Sequence, residues 1–381
     1  MTITRRDLMW RLGLGAAAAA ALPSLADARP ESVAAAGRRI ELDVNANAYG
    51  PSTRAIAALQ GGLNRASRFP DRESEELKDA VAALHGVTRE QVVLGCGSGE
   101  VLRMAACAFT GPGKGLVTAM PTYGVIGRYA AREGAPVTAV RLASDWSHDL
   151  PEMLARCGSA TGLVYVCNPN NPTGSITCRE DLEGFLRRLP AGAHVVIDEA
   201  YHHYVEPSSE YRSFIDHPVD DPRVVVVRSF SKIYGLAGLR IGYAIAARQI
   251  ATRLSAHALE KDVNVLAARA AVAALDDVEH VQRSRRRNAD DRQEFLNQAN
   301  ARMLRSIDSQ TNFVMMSTEH PAGTVAQQVS AGFVIEHFAR NGIVLARPFS
   351  PLDRYVRVSL GTTAQMREFW RVWDLMPLHD M

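Results

Sequence analysis

Ser229-Phe-Ser-Lys-Ile-Tyr-Gly-Leu-Ala-Gly-Leu-Arg240-Ile-Gly-Tyr243 follows Val224 to Val227, a β-branched run with no polar break. Such a run reads as a strand buried on both faces of a sheet. Lys232 therefore falls just past the end of a core strand, between small hydroxyl residues and a glycine-rich turn. Partial desolvation and neighbouring cations lower an amine's pKa and make it a usable nucleophile toward an aldehyde. Further along, Arg240 offers forked donors that suit a phosphate, and Ser229 and Ser231 add hydroxyls. Taken alone, the same residues also fit a surface lysine in a loop and an arginine on a helix face.

Upstream, the pattern repeats. Val92 to Leu94 reads as a strand ending in Gly95-Cys-Gly-Ser98-Gly-Glu100, with an apolar helix from Val101 to Phe109. Strand, glycine turn and helix point free backbone amides and a helix dipole at an anion. The turn is neither a G-x-G-x-x-G followed by its acidic residue nor a Walker sequence, so dinucleotide and nucleoside triphosphate binding are not supported. Strands near 115–118, 137–141, 162–167 and 194–197 follow, with helices near 123–133 and 179–188. Helices are also expected at 56–63 and 75–84. Strands interleaved with helices imply an α/β fold with a mostly parallel sheet covered on both faces, and ligands in such sheets lie off the carboxyl ends of the strands.

Four candidates follow strand ends directly: the Gly97-Ser98 turn, Asn171, Asp198 and Lys232. A buried carboxylate at Asp198 favours a protonated heterocyclic nitrogen and turns a pyridine ring into an electron sink. As a helix cap, Asp198 would have no such task. Tyr201 and the Asn171 amide are placed to hydrogen-bond a phenolic oxygen of that ring. The Asn-Asn-Pro-Thr-Gly segment around Asn171 reads equally as a plain turn.

The chain of 381 residues begins with an address label. Arg5-Arg6 precedes an Ala- and Gly-rich apolar stretch from Leu12 to Leu25, and Ala26-Asp27-Ala28 fits a small-x-small cleavage site. This layout predicts a twin-arginine signal over residues 1–28 and a periplasmic mature protein. An uncleaved anchor or a misassigned start would leave the protein in the cytoplasm. A formal charge of +2 argues against a dedicated nucleic-acid binder. Cys96, Cys107, Cys157, Cys167 and Cys178 form neither an even framework nor a C-x-x-C pair, and most are expected as small core residues. His202-His203 with Glu206 is not expected to bind metal, since adjacent histidines on a strand face opposite ways. The basic run Arg283 to Arg287, followed by Asp290-Asp291, reads as a solvated helix face.

In this order and at these intervals, Asn171-Pro-Thr-Gly174, Asp198-Glu-Ala-Tyr201, Ser229-x-Ser-Lys232 and Arg240 resemble the fold-type I, class I/II pyridoxal-phosphate aminotransferases. Asn45-Ala-Asn-Ala-Tyr49-Gly-Pro51, Arg68-Phe-Pro-Asp71, Pro121-Thr-Tyr123 and Cys167-Asn-Pro-Asn-Asn-Pro-Thr-Gly174 resemble, more narrowly, the histidinol-phosphate aminotransferase branch. The resemblance covers essentially the whole chain after the signal. It implies pyridoxal 5'-phosphate as cofactor, bound to Lys232 as a Schiff base, with Lys232 later moving a proton. It also implies Asp198 on the ring nitrogen, Asn171 and Tyr201 on the ring oxygen, and Tyr123 stacked on the ring. Gly97, Ser98, Gly99, Ser229, Ser231 and Arg240 would hold the phosphate.

The same resemblance implies a seven-stranded type of sheet in a large domain (66–285) and a smaller α/β domain (38–65 and 286–381). In the latter, strands are expected at 312–316 and 356–360 and helices at 325–341 and 366–375. Arg357 falls on the substrate-carboxylate arginine, and Arg347 and Tyr49 on candidates for the substrate's distal group. Amino-acid and 2-oxo-acid substrates and a homodimer are implied. Two departures stand out: Phe69 replaces a tyrosine that reaches a phosphate across the dimer interface, and Ala46 and Ala48 replace Glu and Pro near the substrate. Substrate identity is thus left open. A decarboxylase or lyase of the same fold, similar to threonine-phosphate decarboxylases, and a noncatalytic cofactor-binding or amino-acid-binding protein share much of this motif set.

Overall fold

The computed structural model describes residues 39–206, 208, 210–319 and 330–376; the expected signal at 1–28 lies outside them. In chain order the regular elements are β1 (Ile40–Leu42), α1 (Thr53–Gly62), α2 (Asp71–His85), β2 (Val92–Gly95), α3 (Ser98–Phe109), β3 (Gly115–Met120), α4 (Val125–Arg132), β4 (Val137–Arg141), α5 (Leu150–Ala155), β5 (Thr161–Cys167) and α6 (Arg179–Arg188). They continue with β6 (His194–Asp198), β7 (Val224–Ser229), β8 (Gly242–Ala246), α7 (Arg248–Ser255), α8 (Val265–Leu275), α9 (Val278–Ala301), β9 (Phe313–Ser317), α10 (Ala331–Arg340), β10 (Ile343–Leu345), β11 (Tyr355–Ser359) and α11 (Thr363–Asp374).

The valine run behaves as its composition requires. Every residue of β7 is buried, with Val224 and Val226 in one apolar cluster and Val225 and Val227 in another on the opposite face. β5 and β6 divide in the same way: Val164, Val166, Val195 and Ile197 on one side, Leu163, Tyr165 and Val196 on the other. A period of two with both faces apolar is what a doubly covered sheet imposes. Seven strands pair in the order β2-β8-β7-β6-β5-β3-β4, and only β8 runs antiparallel to its neighbours. This is the mostly parallel sheet expected from the alternation of elements. Its parallel strands bring the ends of β3, β5, β6 and β7 to one edge, where the polar candidates lie.

A third apolar cluster joins Leu42 to Phe295, Val314, Met316, Phe338, Val356, Phe369 and Trp370. β1 pairs in parallel with β10, some 300 residues later, and β9 pairs antiparallel with β11. The N-terminal strand thus returns to the C-terminal part. α1 then packs against α8, beside the large sheet. The expected 285/286 boundary falls inside the continuous helix α9.

Two local expectations change. His202 and His203 lie in a 3-10 turn (His202–Tyr204), so their rings meet at 5.1 Å between centroids instead of facing opposite ways. Among the described residues no group of three or more His, Cys, Asp or Glu side chains is placed to hold a metal ion. Of the five cysteines only Cys167 is buried, and Cys96 is exposed. Their contexts were apolar, but each of the other four sits at an element end or on an outward helix face.

Candidate active site

Off the carboxyl edge of the sheet lies a cavity of about 1050 Å³. Ser98, Gly99, Tyr123, Asn171, Asp198, Tyr201, Ser229, Ser231, Lys232, Arg240, Arg347 and Arg357 all line it, although they come from separate loops and strand ends. Tyr49 does not. Its hydroxyl donates to Asp291 Oδ2 at 2.7 Å, and the Arg287 guanidinium lies 3.7 Å from its ring centroid. Burial and then the Asp291 bond push that phenol up to about 12. The basic run on α9 is therefore partly occupied: Arg287 covers Tyr49, and Arg285 pairs with Glu206.

At one end is an anion cradle. Gly97 precedes α3 with φ +77° and ψ 162°, a conformation open to glycine. A Cβ there would collide with the Arg240 guanidinium, so the missing side chain admits the arginine. A Cβ on Gly242 would likewise strike the Ser98 amide. The first amides of α3 have no partner within the helix, and Ser98 and Gly99 line the cavity with Arg240, Ser229 and Ser231. Arg240 Nη1 donates to Ala237 O at 3.0 Å and to Ser231 Oγ at 3.4 Å.

Asp198 closes β6 and is buried. Its carboxylate accepts from Tyr165 Oη at 2.9 Å and from the Ala200 amide at 3.0 Å. Burial nevertheless raises its pKa to about 6, against the lowering effect of those two bonds. Tyr165 escaped the sequence reading; the one available signal was a phenol in an otherwise aliphatic strand. Tyr201 Oη accepts from Asn45 Nδ2 at 3.0 Å and from Asn171 Nδ2 at 3.5 Å.

Lys232 sits at the centre, half-buried, with Nζ donating to the carbonyls of Val44 and Asn45, both at 3.1 Å. Desolvation by the cavity walls, then the charges of Arg357 and Arg240, lower its amine to about 7, with Asp198 opposing. Near neutral pH the free base is therefore within reach, as it is not for an ordinary lysine. Arg357, on β11, donates from Nη1 to Asn171 Oδ1 at 2.6 Å and from Nη2 to the Asp43 carbonyl, leaving Nε unpaired. Asn312 holds the carbonyls of Asn45 and Ala46. Residues 43–46 are thus strapped across the cavity by Lys232, Arg357 and Asn312. The roles of Asn45 and Asn312 were not visible in the sequence because the contacts span hundreds of residues.

Against known proteins, the family model described as "Aminotransferase class I and II" matches residues 38–372. A histidinol-phosphate aminotransferase from Moorella thermoacetica is 36% identical over 332 residues, covering 87% of this chain and 84% of the relative. Histidinol-phosphate aminotransferase 2 from Ralstonia nicotianae is 37% identical over 86% of this chain and 85% of its own. Among solved structures, histidinol-phosphate aminotransferase from Sinorhizobium meliloti in complex with pyridoxal-5'-phosphate superposes with a TM-score of 0.80 at 26% identity, covering 89% of this chain and 92% of that one.

Proposed function

The chain belongs to the class I and II aminotransferases, and from that premise we propose that its amino donor carries an anionic group received by Arg357 and Arg347. The enzyme is a pyridoxal-phosphate-dependent aminotransferase. The cavity's own donors fit that cofactor: a glycine cradle with a guanidinium and two hydroxyls for the phosphate, and a buried carboxyl with a raised pKa for the ring nitrogen. When bound, pyridoxal phosphate supplies an aldehyde for amine exchange and a ring that withdraws electrons from the carbon bearing the amino group.

The protein's part is positioning and proton transfer. Ser98, Gly99, Ser229, Ser231 and Arg240 would hold the phosphate, each charge-assisted bond contributing about 1.5–3 kcal/mol. Asp198 would keep a proton on the ring nitrogen, and Tyr165 and Ala200 fix its carboxylate. Asn171 and Tyr201 would address the ring oxygen, and Tyr123 would cover the ring. Lys232 would anchor the cofactor through its aldehyde, with loss of water, and its amine, when free, would move the proton at the substrate's Cα. Arg357 orients that carbon by holding the neighbouring anion.

The observation that carries this reading is the convergence of Lys232, Asp198, Arg240 and Arg357 on one cavity from four separate parts of the chain. Borohydride reduction followed by peptide mapping should find the cofactor on Lys232, and Lys232→Ala should abolish the adduct; a persistent adduct on another lysine would sink the assignment. A half-reaction screen of amino donors, including histidinol phosphate, then names the substrate by its 2-oxo product. The histidinol-phosphate relatives support that donor, whereas Ala46, which lines the cavity, and Ala48 stand where the family resemblance implies Glu and Pro. A homodimer with Phe69 at the contact belongs to the same reading, supported by that ring's 73% exposure beside Lys261. Sedimentation of a Phe69→Asp variant should reveal monomers. The periplasmic location follows from the twin-arginine segment, and replacing Arg5 and Arg6 by lysine should retain the protein in the cytoplasm.

A further inference from the structure

Tyr201 is assigned to the ring oxygen of the cofactor, and a phenol can meet an oxygen in two ways. It donates its own proton or accepts one, and only donation favours an oxygen that carries negative charge. What decides between the two is where the other bonds of the hydroxyl go. Tyr201 Oη has two amide neighbours, Asn45 Nδ2 at 3.0 Å and Asn171 Nδ2 at 3.5 Å. An amide carries an acceptor on one side and a donor on the other, so each contact has this sense only if the amide is held the right way round.

Both amides are held. Asn171 Oδ1 accepts from Arg357 Nη1 at 2.6 Å, and a guanidinium has only N–H groups to give, so Nδ2 is the side turned to Tyr201. Asn45 is fixed by Ser359. The Ser359 hydroxyl accepts the Asn45 backbone N–H at 2.9 Å and gives its single proton to Asn45 Oδ1, also at 2.9 Å. The Asn45 NH2 is thereby left for Tyr201. Asn45 does this at φ +55°, a left-handed conformation that asparagine enters more readily than most residues. Of the five non-glycine residues with positive φ among those described, only Asn45 is buried. Its carbonyl accepts from Asn312 Nδ2 at 3.1 Å, so every polar atom of Asn45 has a partner.

Two N–H groups therefore fill the acceptor side of the Tyr201 oxygen, and its own proton is what it has left to offer the cavity it lines. Asn171 is itself assigned to the ring oxygen, and its bond to Tyr201 is the longer of the two; the Asn45 amide is the one kept for Tyr201. The phenol's acidity points the same way: burial raises its pKa, and the charge of Arg357 and then the Asn45 bond lower it. We propose that Asn45 is a positioning residue that holds the Tyr201 phenol as a hydrogen-bond donor toward the cofactor's ring oxygen, with Ser359 setting the direction of its amide. This rests on reading the cavity as the pyridoxal-phosphate site. Ser359 stands two residues past Arg357 on β11, so the strand that carries the substrate arginine also sets the sense of a cofactor contact.

The test titrates the apoenzyme by fluorescence with pyridoxal 5'-phosphate and with 3-deoxypyridoxal 5'-phosphate, which lacks the ring oxygen, and reads the ratio of the two Kd values. The wild type should favour the natural cofactor. Asn45→Gly, which permits positive φ, should shrink that preference roughly three- to tenfold, the scale of one hydrogen bond. Asn45→Asp keeps an acceptor for Ser359 but turns a second acceptor toward Tyr201, so it should erase more of the preference; it also carries the test if the glycine variant fails to fold. Tyr201→Phe lowers the preference by itself, and adding either Asn45 variant to it should change the ratio no further. A merely loosened N-terminal segment would weaken both ligands alike and leave the ratio where it was. An unaltered ratio in the Asn45 variants, or an equal further loss in the Tyr201→Phe background, overturns this proposal alone. Binding of neither ligand by the wild type overturns it together with the cofactor reading.

Discussion

Asp198 and Glu199 are consecutive, both buried at the end of β6, and they live in opposite electrostatic circumstances. Glu199 faces away from the cavity. Its carboxylate accepts from Arg228 Nε at 2.9 Å, from Ser213 Oγ at 2.7 Å and from the Phe214 amide at 2.7 Å, and Arg228 also bonds Ser213. In that set a buried cation is matched to a buried anion, with the half-exposed Asp216 at 3.8 Å from the Arg228 guanidinium as a second, outer counter-charge. Asp198 has a phenol and one amide, no bonded cation, and a pKa raised to about 6 by burial. A carboxylate whose bonds are complete ties strands together. One left short of a cation is held ready for a ligand that brings it.

Breaking the closed side should produce the largest effect. Arg228→Met leaves Glu199 charged, buried and unpaired, and should lower unfolding stability by about 3–5 kcal/mol. Urea unfolding measures this, and a loss below about 1 kcal/mol would refute the contrast. Adding Glu199→Gln to Arg228→Met should recover much of the loss, because the stranded charge goes with it. On the open side the sign differs. Asp198→Asn keeps an acceptor for Tyr165 and removes a poorly compensated charge, so urea unfolding should show equal or slightly greater stability. Turnover should nevertheless fall roughly 10²–10³-fold, the usual scale for losing one preorganised electrostatic contact. Loss of stability in step with activity would show that Asp198 is a structural carboxylate like its neighbour.

Why one member of this pair was legible in sequence and the other was not follows from range. A strand end is a local signal: Val224 to Val227 and His194 to Ile197 announce themselves by composition, and the residue after each is placed by chain direction. Hence Asp198 and Lys232, the parallel core of the sheet and the helices α2, α3, α4 and α6 could be read directly, whereas α5, α7 and α8, which also cover the sheet, were not. Glu199 carries no mark in the sequence, because its partners Ser213, Phe214 and Arg228 are fixed by folding. The same limit explains Tyr165 under Asp198, Asn45 and Asn312 across the cavity, and β1 pairing with β10. It explains Tyr49 too, since its neighbours Asp291 and Arg287 belong to α9, over 200 residues away. β8 was missed for a different reason: Gly242 to Ala246 is short and follows directly on the functional turn, where its pattern is masked.

A smaller effect distinguishes the cradle from its surroundings. Gly97→Ala puts a side chain at φ +77° and against the Arg240 guanidinium, so it should cost about 1–3 kcal/mol in stability from backbone strain. Fluorescence titration of the apoenzyme should also show weaker cofactor binding. Gly99→Ala, where a Cβ meets nothing within 4 Å, is the control and should leave stability within roughly 0.5 kcal/mol. Equal effects at both glycines would deny the close approach of Arg240.

The finest discrimination between the two carboxylates is a pH profile. The nucleophile is the neutral amine of Lys232, and its pKa of about 7 means protonation disables it below neutrality. Cofactor capture by the apoenzyme, followed by absorbance, should therefore be several-fold faster at pH 8 than at pH 6 and level off above 8, whereas an ordinary lysine would keep gaining to about pH 10. Asp198 opposes the lowering of that pKa, and Arg357 contributes to it. Asp198→Asn should consequently move the midpoint to lower pH, and Arg357→Gln should move it higher. Glu199→Gln, combined with Arg228→Met to keep the rear side neutral, should leave the midpoint within roughly 0.3 units, because that pair is closed on itself. If the rear double variant moved the profile as far as Asp198→Asn does, the two carboxylates would be acting on Lys232 alike, and the division between a closed structural pair and an open functional group would fail at the residue where it matters most.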